Sequence, residues 1–158
     1  MYLLVAFGMC VAYFILYYLF PYFFTSKIRP IHQTSLYSIG YILIVYAVVY
    51  FVSISIEDIE FANRILHTFG GGFLSFMICF FVVKDTRLSL SRFQFFIFSF
   101  LVAVGLGVVN EIIEFFLQNY LHMVMATSIS DTWFDLISNC VGVLIAVPCF
   151  VPFIKKFQ

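Results

Sequence analysis

The sequence predicts an all-α integral membrane protein, a five-helix transmembrane bundle. Three observations carry that reading. Of the 158 residues 64% are hydrophobic, phenylalanine alone accounts for 23, and only 10% are charged. A soluble domain of this length carries more charge and alternates apolar with polar faces. Several runs of about twenty apolar residues are each long enough to cross a hydrocarbon core of roughly 30 Å. Basic residues fall in a few short clusters between those runs. No basic patch points to nucleic acid, and no acidic or low-complexity tail points to a disordered binding arm. With no internal repeat and no linker, the chain reads as a single multi-pass domain over 1–158 whose one evident partner is the lipid bilayer.

The first span covers about 1–24. It lacks a positive leading region and an A-x-A site, and its apolar run exceeds a signal peptide's, so it reads as a retained span. The connection "TSKIRPIHQT" carries Lys27 and Arg29, and the second span follows over about 35–56. "EDIEFANR" comes next, with Glu57, Asp58, Glu60 and Arg64. The third span, about 65–83, contains Gly70, Gly71 and Gly72. That triplet follows no strand, so close helix packing or a local break explains it better than a phosphate loop. "KDTRLSLSR" carries Lys84, Arg87 and Arg92 ahead of the fourth span, about 93–117. The stretch 118–133 has no Lys or Arg, and its "LHMVMATSIS" is apolar enough to lie in the interface or dip back. The fifth span, about 134–153, ends before Lys155 and Lys156. Cys10, Cys79, Cys140 and Cys149 lie singly in apolar segments and read as packing residues.

Seven of the eight basic residues thus fall in the first connection, the third connection and the C-terminal tail. Five spans put those three on one side, whereas four or six would split them. The positive-inside rule makes that side cytoplasmic, with the N-terminus outside and the C-terminus inside a cell (cytoplasmic, or inner) membrane.

This orientation brings the polar residues to one depth. His67 lies about a turn below the outer surface, and at 1.5 Å per residue Glu111 and Glu114 reach the outer end of the fourth span. Asp131 sits at the start of the fifth span, Asp135 a turn deeper and Asn139 deeper again. Helical spacing gives each span one polar stripe. These are Asn63, His67, Gly71 and Ser75; Gly107, Glu111, Glu114 and Gln118; and Asp131, Asp135, Asn139 and Gly142. Polar groups in lipid must face one another or a wet cavity, so the stripes predict an outward-opening polar pocket between spans three, four and five. Asp131 reads as a helix N-cap and Trp133 as an interfacial anchor. Glu111 and Glu114 share a face and repel if both ionise, so the pair holds a proton or binds a cation.

The ordered motifs "NRILHTFGGGF" (63–73), "NEIIEFF" (110–116) and "SDTWFDLISNCVG" (130–142) resemble those of the uncharacterised YjdF-type bacterial inner-membrane proteins and, more loosely, the VanZ-like family. The resemblance covers about the last hundred residues. It implies that Arg64, His67, Glu111, Glu114, Asp131, Asp135 and Asn139 form the site. It also implies an association with glycopeptide (teicoplanin) resistance at the cell envelope. The chain departs from the pattern at Asn63, where an acid is expected before the arginine, and in having no arginine leading into Asp131.

The first functional reading is a metal-dependent enzyme acting on an envelope or lipid-linked substrate. His67, Glu111 and Asp135 would ligate a divalent cation, since oxygen ligands favour Mg²⁺, Mn²⁺ or Ca²⁺ and imidazole admits Zn²⁺. Glu114, with Asp135 beside it, would supply general-base chemistry. Arg64 and Asn139 would bind substrate, Arg64 through a phosphate or carboxylate. The alternatives are a structural or assembly protein whose polar cluster locks helix packing, and a small ion-coupled transporter.

Overall fold

Five helices long and apolar enough to cross a membrane make up the fold, a computed structural model that describes residues 2–27, 30–31, 33–123 and 129–154. They are α1 (Tyr2–Thr25), α2 (Gln33–Ile54), α3 (Ile59–Asp85), α4 (Arg92–Leu121) and α5 (Ile129–Phe150), the last followed by a 3₁₀ turn, Val151–Phe153. No strand occurs among the described residues.

The polar ends of three helices differ from the sequence reading. α3 begins at Ile59 rather than about 65, because Asp58 caps it by accepting from the Phe61 N–H at 3.0 Å. Asn63 and Arg64 therefore sit inside the helix. α4 continues to Leu121 rather than about 117 and closes on His122, whose left-handed backbone (φ 54°) returns its N–H to Leu117. α5 starts at Ile129 rather than about 134, so Asp131 lies within the first turn instead of capping it. Of the stretch expected to lie in the interface or dip back, 124–128 lies outside the described residues.

α3 is the central helix. Half of its most apolar stretch is buried in the bundle, against 22–28% for the other four. Leu74, Phe76, Ile78, Cys79, Val82 and Val83 of α3 pack with Tyr13, Tyr17 and Phe20 of α1, Phe95 of α4 and Val143 of α5. Large exposed side chains such as Leu36, Phe51, Leu101 and Ile137 cover the outside, as a lipid-facing surface requires. All four cysteines are free.

Residues Leu66–Phe73 of α3 form a π-helix. Here α3 and α5 approach backbone to backbone. A Cβ on Gly72 would collide with the Asn139 carbonyl, and one on Gly142 with the Thr68 carbonyl. Small residues permit such approach where no hydrophobic force drives helices together. The glycine triplet thus serves both purposes expected of it, close packing and a local departure from α-helix.

The bundle has two chemically different ends. Arg92 at the start of α4 donates to the Pro152 carbonyl after α5 at 3.0 Å. Gln33 and Thr34 at the start of α2 share a cavity of about 450 Å³ with Lys84, Asp85 and Arg87. The described basic residues Lys84, Arg87 and Arg92 therefore gather at one end, while Arg29, Lys155 and Lys156 lie outside the described residues. His67, Glu111, Glu114, Asp131 and Asp135, with Arg64 among them, gather at the other end.

Candidate functional site

Arg64 enters from the first turns of α3 and meets the first turns of α5. Its Nη2 pairs with Asp131 Oδ1 at 2.6 Å, and its Nη1 donates to Asp135 Oδ1 and, at 3.4 Å, to the Asp131 carbonyl. Asn63 adds a donor to Asp135 Oδ1 at 3.1 Å. The guanidinium also lies over the Phe134 ring, 5.1 Å from its centroid, in cation–π geometry. Asp135 is 1% exposed. A buried carboxylate needs such partners, since unpaired charge in a low-dielectric medium is heavily penalised. Both terminal nitrogens of Arg64 are thus engaged as counter-charge.

One turn deeper, His67 stands between two acids. Its Nε2 is 3.6 Å from Asp135 Oδ2, and its Nδ1 is 3.9 Å from Glu111 Oε1. Glu111 comes from α4, is buried, and its Oε1 has no hydrogen-bond partner among the described residues. Glu114, one turn along the same face, accepts from Asn110 Nδ2 at 2.7 Å. His67, Glu111 and Glu114 each offer one ligand atom, and the three atoms lie within 4.8 Å of one another. Ligands on opposite sides of one ion stand apart by about twice the bond length, roughly 4.2 Å for Zn²⁺ or Mg²⁺ and 4.6–5.2 Å for Ca²⁺. The donor set and its spread fit a divalent cation.

Asn139, 3% exposed, fills the space below. Its amide nitrogen would stand 3.0 Å from a Cβ on Gly107, and its amide oxygen would collide with a Cβ on Gly71. That oxygen has no hydrogen-bond partner among the described residues. His67, Glu114, Asn110 and Asn139 line a cavity of about 240 Å³ whose remaining wall is mostly apolar, from α1, α3 and α4 with Tyr46 of α2.

The structure therefore brings His67, Glu111, Glu114, Asp131, Asp135, Asn139 and Arg64 to one end of the bundle, on three helices. It divides them into an Arg64–Asp131–Asp135 pairing and a His67–Glu111–Glu114 group. Of the α4 stripe, Gln118 is exposed. Sequence reasoning missed Asn110, whose signal is its position four residues before Glu114 on one helical face. It also missed the buried hydrogen bond from Tyr13 Oη to Asp85 at 2.6 Å, which joins residues 72 apart and leaves no local signal.

No curated protein and no solved structure matches the chain significantly. The family described as "Predicted membrane protein (DUF2238)" matches residues 2–156, and across that length the chain is a member of it.

Proposed function

We propose that this membrane protein binds a divalent cation at His67, Glu111 and Glu114 and uses it on a lipid-linked or envelope substrate, as a metal-dependent enzyme. The observation that carries the reading is the gap between His67 Nδ1 and Glu111 Oε1. At 3.9 Å it is too long for a hydrogen bond and suits two ligands of one ion. Asp135 Oδ2 stands 3.6 Å from Nε2, where its negative charge favours the proton on that nitrogen and leaves the Nδ1 lone pair for the ion. Arg64 and Asn63 hold Asp135 in turn. A bound divalent cation supplies a Lewis acid for a phosphoryl or carbonyl oxygen. Glu114 lines the cavity with Oε1 fixed by Asn110, so as a ligand it would bring the ion to a group bound there. The distribution of basic residues supports an outward-facing site, with the N-terminus outside a cytoplasmic membrane. The motif resemblance to VanZ-like proteins supports a role at the envelope.

The Arg64–Asp131–Asp135 pairing favours a second reading, a cluster that only locks helix register. Metal content of the purified protein separates the two. About one Ca²⁺, Mn²⁺, Mg²⁺ or Zn²⁺ per chain, lost in Glu111→Gln, is the result expected of a three-ligand site. No binding of any of these ions by the wild type would leave the structural reading standing.

A further inference from the structure

The cavity beside the polar group has a side open to lipid. α1 and α4 touch at the basic end, where Phe98 meets Phe20, Phe23 and Phe24 with ring centroids 5.0, 5.3 and 4.8 Å apart. Nowhere among the described residues do the two helices come within 8 Å, Cα to Cα. Toward the acidic end the space between them is the cavity itself, walled by Leu4, Gly8 and Ala12 on one side and Leu106, Val109 and Ile113 on the other. Leu4, Val109 and Ile113 are 52%, 50% and 46% exposed, so the rim faces the bilayer. Gly8 widens the opening, because a Cβ there would meet no atom within 4 Å.

From the observed opening we infer that a phospholipid acyl chain enters laterally between α1 and α4 and lies in this cavity. Its polar head then reaches Asn110, Glu114 and His67. This deepens the function proposed above by naming the amphiphile the site receives, and it rests on that reading only for what happens at the head. Three physical points support it. The residues 4–12 of α1 span about 12 Å and the residues 106–117 of α4 about 16 Å, which is close to one leaflet of hydrocarbon core. A cavity of about 240 Å³ far exceeds the roughly 10–15 Å³ that one water needs by the same measure, and an apolar wall gives water few partners. Glu114, Asn110 and His67 line the part of the cavity nearer the acidic end, and Ala12, Ile78 and Leu106 line its deeper part, an order that suits an amphiphile with its head toward that end.

A photoreactive phospholipid carrying a diazirine on its acyl chain tests this directly. The full-length protein is reconstituted in phosphatidylethanolamine–phosphatidylglycerol vesicles containing the probe, irradiated, and mapped by peptide mass spectrometry. Labelling at 4–12 and 106–117 should exceed that at exposed lipid-facing positions such as Leu36 and Leu101 severalfold. Gly8→Phe fills open space and should reduce the labelling to the level of those positions. Gly105→Phe, which also enters open space but lies outside the cavity, should leave it unchanged. Even labelling over all lipid-facing positions, insensitive to Gly8→Phe, overturns the inference. Metal content measured on the same samples keeps the two proposals apart. Localised labelling without a bound cation removes the metal reading and leaves the chain seat. A bound cation with even labelling does the reverse.

Discussion

Arg64 is one cation facing two carboxylates, and this imbalance makes it the most sensitive residue of the polar end. Replacing it with Met keeps much of the volume but strands Asp131 and Asp135. Removing one partner of a buried pair costs about 3–5 kcal/mol, and the 23% exposure of the Arg64 side chain lowers the expectation here to about 2–3 kcal/mol. Thermal unfolding in detergent checks this. A partial recovery in Arg64→Met with Asp135→Asn would mark the loss as uncompensated charge rather than lost packing. Asp135 itself faces His67 rather than the gap between His67 and Glu111, which separates its role from that of Glu111. Asp135→Asn should keep the cation with affinity lowered about 10–100-fold, as removal of an orienting partner does, whereas Glu111→Gln abolishes binding. Titration of Mn²⁺ or Ca²⁺ into the purified variants reads the difference, and equal losses in both would make Asp135 a direct ligand.

At the scale of helices, the contact between the π-segment of α3 and α5 fixes where every polar group arrives. Gly142→Ala pushes a methyl group at the Thr68 carbonyl, and because that atom is backbone the helices must separate. A loss of about 2–3 kcal/mol follows from overpacking of this kind. Gly40→Ala in α2, where a Cβ meets nothing within 4 Å, should be neutral or stabilising by up to about 1 kcal/mol from helix propensity. Thermal unfolding of both variants in one detergent tests the pair, and equal effects would deny the close contact its role. The existence of these helices and their polar stripes was legible in the sequence because period and apolar length survive any packing. Asp131, Asp135, Asn139 and Gly142 are all buried on one face of α5, as spacing alone predicts. Helix starts were less legible. A polar run such as 57–64 reads as a loop until its partners on α5 are known, since Asn63 and Arg64 become helical by pairing across 72 and 71 residues with Asp135. The division of the acids into two groups was not legible either. It depends on which carboxylate the Arg64 guanidinium reaches, a property of helix rotation that spacing does not encode. The lateral opening between α1 and α4 left no periodic trace.

For the whole molecule, the two ends make an electrostatic axis that should set its direction in the membrane. Lys84, Arg87 and Arg92 stand at one end with the start of α2 and the end of α5. The buried acids at the opposite end carry little weight in topology, since acidic residues contribute far less than Lys and Arg to orientation. The proposed orientation therefore rests on the basic end alone. A fluorescent protein that matures only in the cytoplasm, fused after Gln158, should fluoresce, and the same protein fused before Met1 should stay dark. Changing Lys84, Arg87 and Arg92 together to Gln removes three of the seven basic residues on the proposed cytoplasmic side. A fraction of the C-terminal fusion should then lose fluorescence as mixed orientations appear. The same change leaves His67, Glu111 and Glu114 untouched, so metal content in detergent should hold while topology in cells shifts. Fluorescence from the N-terminal fusion instead would place the proposed cation site and the α1–α4 opening in the inner leaflet.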